Sequence, residues 1–217
     1  MRKNESTPII LFIVSLSIII IACSLIPQNL ESGTVLMRDD FSNTNTKWKI
    51  WSKTGESAVS IIDGNLTMIL QKPNTDIITT NYVTHPDVSI EVDAFKDFGS
   101  NDNLIGVVCR YQNDQNYYAF VLSSDGYYGI VKKKLGKTEL LDSQKMKFSE
   151  IINQGKAINH LSAICNENSL QFFINGYEMM SVLDNDFKNG QNGLLIGSFA
   201  DPEDLVVSFD NFLLIKP

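Results

Sequence analysis

The sequence predicts an all-β chain, with two antiparallel sheets packed face to face as a sandwich. Three observations carry that expectation. The stretch Asn103–Gly136, NLIGVVCRYQNDQNYYAFVLSSDGYYGIVKKKLG, reads as three strands joined by two tight turns: Leu104–Tyr111, Tyr117–Ser123 and Tyr127–Lys134. Its Asp125-Gly126 pair is a hairpin signal, because glycine takes the positive φ such turns need without steric cost. In Val88–Phe95, Val88, Ile90, Val92 and Ala94 alternate with Ser89, Glu91, Asp93 and Phe95; period two with polar partners puts one face on a core and the other in water. Short β-rich runs then recur between Gly, Asn and Asp turns along the whole chain, and one helical turn at Phe148–Ile152 is the only helix expected in the mature protein.

The first residues read as a processing segment rather than fold. Arg2 and Lys3 form a positive start, and Ile9–Ile21 is an uncharged run of 13 residues, short of the roughly 18–20 a spanning helix needs. It ends in Ile20-Ile21-Ala22-Cys23-Ser24, which resembles a bacterial lipobox, with Ile20 where that motif usually carries Leu. Lipidation at Cys23 is the leading expectation. An uncleaved anchor helix through Leu25 and Ile26, and a secreted chain cut elsewhere, stand beside it. Each places the domain outside the cytoplasm. Residues 1–23 are thus assigned to a signal peptide, 24–34 to a polar tether and 35–217 to the folded domain.

Beyond the tether, Thr34–Phe41 opens the domain as a strand, and the turn-rich SNTNTKW leads to Trp48–Trp51. Ser57–Ile62 and Leu66–Leu70 form a hairpin about Asp63-Gly64-Asn65. Asp76–Thr80 is a short strand, followed by Val88–Phe95 and the central meander. Thr138–Ser143 is weaker. Asn159–Cys165 and Leu170–Ile174 flank a turn, Asn175-Gly176 leads to Glu178–Asp184, and Gly190–Gly193 leads into Leu194–Phe199. Leu205–Ile215 closes the chain. The count is about 13 or 14 strands, with no repeat of fixed period.

At 217 residues, 43% hydrophobic and 20% charged, the composition is that of an ordinary globular protein. The net charge is −7, and an acidic domain lacks the clustered Lys and Arg that nucleic acid demands. Nucleic acid is therefore excluded as a partner. The one basic run, Lys132-Lys133-Lys134, reads as a solvated strand end. With Cys23 assigned to lipid, Cys109 and Cys165 remain as an even pair in an oxidising compartment. Both fall on the apolar face of their strands, so a bridge between neighbours across a sheet and two separate buried thiols are the two readings.

The order DDFS…W, DGNL, VSIEVDAF, GVVCRYQN..NYYAFVLSSDGYYGI, NHLSAIC…LQFFINGYE, NGLLIGSF and VSFDNFLL resembles the concanavalin A-like lectin/glucanase superfamily. Within it the chain is similar to laminin-G-like and 3-keto-disaccharide-hydrolase-type domains. The resemblance covers about Val35–Pro217. It implies a jelly roll whose first and last strands are adjacent, and leaves function open, since lectins, glycosidases and adhesion modules share the fold. Glucanases of the superfamily carry an ExDxE or ExDxxE strand. Glu91-Val92-Asp93 begins like it, but Phe95 and Lys96 stand where the third carboxylate should be. Neither His85 nor His160 lies in a nucleophile motif. The residues thus favour a non-catalytic domain, with a hydrolase of the keto-disaccharide type and a structural protein-contact module as alternatives.

The resemblance further implies a structural Ca²⁺ near the paired terminal strands, on Asp210 with Asp40 or Asp39 facing it; a carboxylate merely hydrogen-bonded at a strand edge is the other reading. For ligand binding, an inward Cys109 would carry Tyr111 inward and turn Arg110 outward. Tyr118, Phe120 and Leu122 would be core, leaving Tyr117 outward with Tyr127 joining it across the turn. Arg110, Tyr117 and Tyr127 are the expected contact set for a glycan or another cell-envelope polymer. The same rings also serve as cross-strand pairs that stabilise a sheet.

Overall fold

Alternation of buried and open positions marks several strands, among them Val88–Phe98, Ile158–Asn166 and Ser169–Ile174. The computed structural model describes residues 30–44, 46–199 and 204–217. The processing segment and Cys23 lie outside the described residues, as does most of the tether. The first eight strands are β1 (Val35–Asp39), β2 (Trp51–Lys53), β3 (Ser57–Ile62), β4 (Asn65–Leu70), β5 (Thr75–Thr84), β6 (Val88–Phe98), β7 (Asn103–Asn113) and β8 (Asn116–Leu122). The second eight are β9 (Tyr127–Lys134), β10 (Lys137–Leu140), β11 (Lys147–Phe148), β12 (Ile158–Asn166), β13 (Ser169–Ile174), β14 (Tyr177–Leu183), β15 (Gln191–Ser198) and β16 (Leu205–Ile215).

Two antiparallel sheets result. One runs β14-β13-β12-β6-β16-β4-β3-β2, the other β10-β9-β8-β7-β15-β5, with β11 attached to β9. On its side away from β6, β16 pairs first with β4 and then with β1, so the first and last strands are neighbours. Asp63-Gly64 and Asn175-Gly176 both take positive φ at each residue (50° and 76°, 53° and 83°), the geometry of a two-residue hairpin whose twist matches its strands.

The core lies between the sheets. Val88, Ile90, Val92 and Ala94 of β6, Leu161 and Ala163 of β12 and Val207, Phe209 and Phe212 of β16 face Val107 of β7, Phe120 of β8, Ile130 of β9 and Ile196 of β15. Cys109 and Cys165 are bonded to each other and fully buried. Cys109 belongs to β7 and Cys165 to β12, so the bridge joins the two sheets rather than neighbours within one.

Three expectations need correction. Residues 148–152 form no helix: Phe148 pairs with Tyr127 in the β11–β9 ladder and the Ser149 amide donates to the Gly126 carbonyl (2.9 Å), so the sheet takes the donors a helical turn would use. The short strand expected at Asp76–Thr80 extends to Thr84, because β15 continues as its partner across a bulge. Lys132 is no solvated strand end. Its side chain is 9% exposed and its ammonium lies 2.6–2.8 Å from Asp184, Asp186 and Glu139.

The face of the seven-stranded sheet turned away from the core holds a second apolar cluster of Val108, Tyr117, Ala119, Val121 and Leu195. Glycine alternates with larger residues across it, as in the row Gly129, Val121, Gly106, Leu195 and Ile78. A Cβ on Gly106 would stand 2.2 Å from the Phe120 carbonyl oxygen and 2.9 Å from Val121. The first contact is with backbone, so strand spacing must give. Gly106→Ala is expected to cost about 1–3 kcal/mol, as overpacking does; a urea melt with an unchanged midpoint would count against this.

Candidate functional site

The site is built on a defect in β7. Up to Cys109 the strand alternates regularly, with Ile105, Val107 and Cys109 facing the core. At Arg110, where φ is +52°, the register shifts against both neighbours. Two successive residues, Cys109 and Arg110, then point inward, and Tyr111 takes the outward position. A β-bulge does this by adding one unpaired residue to a strand. Left-handed φ costs a residue with a Cβ about 1–3 kcal/mol, and the burial of Arg110 is what holds it there.

The Arg110 side chain is 1% exposed. Its Nε donates to the Pro86 carbonyl (3.0 Å), Nη1 to the Phe187 carbonyl (2.9 Å) and Nη2 to Asp87 Oδ1 (3.3 Å). Burial pulls its pKa below the ordinary arginine value, and Asp87 works in the opposite direction. From the β15 side, Gly190 lies so close to the bulge that a Cβ there would be 2.4 Å from the Arg110 carbonyl carbon.

On the outward side, Tyr111 stacks on Tyr117 with ring centroids 6.0 Å apart and planes 28° from parallel. Its hydroxyl donates to Asp114 Oδ1 at 2.5 Å. The Lys133 ammonium stands 5.7 Å from the centre of the Tyr117 ring and 4.0 Å from Asp76. Beside Tyr111 opens a cleft of about 550 Å³, whose lining includes Trp51, Asp76, Tyr82, Asp114 and Gln191. Lys49 anchors its far wall to β5: the Lys49 amide donates to the Thr80 carbonyl, and Thr79 Oγ1 to the Lys49 carbonyl. Tyr82 is 67% exposed, carried outward where β5 and β15 lose register. Tyr117 is 2% exposed. Burial first, and then Asp76, Asp114 and Tyr111, push its pKa well above the ordinary tyrosine value.

The expected contact set is not brought together. Arg110 lies between the sheets, because the bulge exchanges the sides of Arg110 and Tyr111. Tyr117 points outward as its alternation requires, but beneath Tyr111 rather than in solvent. Tyr127 is 42% exposed and packs edge-on against Phe148. Tyr117 pairs with Lys133, six residues along β9 from Tyr127, which separates the two tyrosines by about 20 Å at strand rise. Trp51, Asp76, Tyr82, Asp114 and Gln191 were not picked out from the sequence. The paired aromatics at 117 and 118 pointed to this meander, but no residue type signals a positive φ at an arginine.

Asp210 accepts from the Asn211 amide (2.7 Å), and Asp40 from the amide and hydroxyl of Ser42 (3.1 and 2.7 Å). Among the described residues no group of three or more His, Cys, Asp or Glu side chains is placed to hold a metal ion. A calcium shell of six to eight oxygens on these two aspartates would have to be completed by backbone. Glu91 and Asp93 lie on the outer face of the other sheet, where Asp93 is held by His160 Nδ1 (2.8 Å) and Asn211 Nδ2 (3.0 Å).

No family model and no curated protein matches the chain in sequence. Solved structures do match. The carbohydrate binding module CBM66 from Bacillus subtilis aligns with a TM-score of 0.62 at 17% identity, over 79% of this chain and 96% of that one. The β-glucanase of Bacillus licheniformis gives 0.61 at 11%, over 86% and 100%. A Bacteroides ovatus mixed-linkage glucan GH16 protein, in complex with its G4G4G3G product, gives 0.59 at 11%, over 82% and 99%. At such identities the likeness is one of architecture, and it agrees with the sheet order and the adjacent terminal strands: the chain has the concanavalin A-like jelly-roll fold.

Proposed function

We propose that this protein is a non-catalytic glycan-binding domain that works outside the cytoplasm, held at the membrane by its N-terminal segment. The supporting observation is the convergence of three aromatic residues with two carboxylates on one cleft: Trp51, Tyr82 and Tyr111 with Asp76 and Asp114. Sugars offer apolar C–H faces to aromatic rings and paired hydroxyls to carboxylates, and a few placed polar groups in an aromatic-lined cleft are the usual form of a small-ligand site. That one similar structure is a carbohydrate binding module and others act on glucans lends the reading further support.

The test is titration of the domain, expressed from Asn29 onward, with mixed-linkage β-glucan, other soluble polysaccharides and peptidoglycan fragments. Saturable binding is expected, weakened tenfold or more by Tyr111→Ala or Trp51→Ala with the melting temperature preserved; tenfold corresponds to about 1.4 kcal/mol. Absence of binding by a folded domain would replace this reading with a protein-contact module. Release of reducing sugar that Asp76→Asn or Asp114→Asn abolishes would make it a hydrolase. Running the titration with and without Ca²⁺ tests the calcium expected at Asp210 and Asp40. Loss of membrane association in Cys23→Ser would establish the lipid anchor.

A further inference from the structure

We infer that Arg110 is a positioning residue for the glycan cleft, acting from beneath the sheet by holding the bulge that presents Tyr111. The functional consequence rests on the cleft reading above; the structural one does not. In a regular strand an inward Cys109 would turn residue 110 outward and bury Tyr111. The cleft would then lose the ring stacked on Tyr117 and the hydroxyl that orients Asp114. The bulge is the higher-energy backbone, and three groups on two segments hold Arg110 in it: Pro86 and Asp87 ahead of β6, and Phe187 ahead of β15. Asp87 Oδ1 also accepts from the Glu167 amide at 2.7 Å, so the clamp is tied to the β12–β13 turn. On the other side, Gly190 leaves room for the displaced backbone, where any side chain would collide with it. A buried guanidinium at +52° and a glycine opposite it serve one outcome, the outward Tyr111.

The experiment compares wild type with Arg110→Gly, which removes the clamp while accepting positive φ, and with Gly190→Ala, which crowds the bulge and keeps the arginine. The first readout needs no ligand: NMR ring-to-ring contacts between Tyr111 and Tyr117. Both variants are expected to lose or broaden these contacts in a domain that still melts cooperatively. The second readout is affinity for mixed-linkage β-glucan, or for whichever polysaccharide wild type binds, in a double-mutant cycle. Arg110→Gly and Tyr111→Ala are each expected to weaken binding about tenfold, and together no more than either alone, as coupled residues do. A folded Arg110→Gly domain that keeps the Tyr111–Tyr117 contacts would overturn the inference, as would losses that simply multiply. Should wild type bind no glycan, the cleft reading fails, while the ring contacts still decide whether Arg110 positions Tyr111.

Discussion

Replacing Cys109 and Cys165 together by alanine is expected to lower stability by about 4 kcal/mol, from the entropy of a loop of this length in the unfolded chain. The bridge spans 56 positions and joins the sheets at a point where both sulfurs are shut off from solvent. For a domain of this size each kcal/mol moves the melting temperature by roughly 2–4 °C, so a fall of about 8–16 °C should appear in a calorimetric scan. Reductant should have little effect on the folded protein at room temperature, since the bond becomes reachable only as the sheets part, and a large effect once denaturant is present. A double variant melting within 2 °C of wild type would show that the core alone sets the sheet separation. The same bond lies one residue from Arg110, so the variant also asks how far the bulge depends on the bridge.

The fold was legible because its instructions are local and redundant. Val88–Ala94 alternates over enough positions to define a face without help from the rest of the chain, and Asp63-Gly64 and Asn175-Gly176 sit where only a two-residue hairpin explains them. The site was not legible in the same way. From Leu104 to Cys109 parity counting is right, and at Arg110 it reverses, because one residue in the left-handed region shifts everything after it to the other face. What fixes that residue is distant in sequence: carbonyls at Pro86 and Phe187, and the missing side chain at Gly190. An alternating pattern carries no record of such partners.

Tyr117 shows the same limit in milder form. Its face was assigned correctly, but burial depended on Tyr111 lying over it, and hence again on the bulge. Trp51 and Tyr82 reach the cleft from strands whose own patterns are short or interrupted: β2 has three residues, and β5 breaks register near Tyr82. A cleft at the rim of a jelly roll collects residues from strand ends and irregularities. Those are the places where periodicity stops being informative.

Lys132 is where a solvated reading of a charge run meets the opposite structure, and its replacement by methionine is expected to cost about 3 kcal/mol at pH 7. Removing one partner of a buried ionic cluster leaves the others uncompensated. Here Asp184 is 12% exposed, shares its carboxylate with the Tyr118 hydroxyl (2.5 Å) and accepts the Asp186 amide (2.9 Å), which ties the segment before β15 to the end of the sandwich. Burial works against the charge on Lys132, but its hydrogen bonds to Asp184, Asp186 and Glu139 outweigh that and raise its pKa above the ordinary 10.5. For Asp184, burial is likewise outweighed, by Lys132 and Tyr118, and for Asp186 the Lys132 hydrogen bond leads; both lie below the ordinary 3.8. The signs follow from linkage. A lysine raised on folding contributes stability that is complete below pH 10.5 and is lost as pH rises through its folded value. Aspartates lowered on folding contribute stability that is complete above pH 3.8 and is lost as pH falls through their folded values. Wild type should therefore hold this contribution between about pH 5 and 10 and lose it in acid. In Lys132→Met Asp184 and Glu139 lose their cation and Asp186 keeps only Lys134 (2.5 Å), so the carboxylate pKa values rise, and protonation relieves them. The stability gap between the two proteins should shrink steadily from pH 7 to pH 3 in denaturant titrations. A gap that is constant over that range would mean that Lys132 contributes through its aliphatic stem and not through its charge.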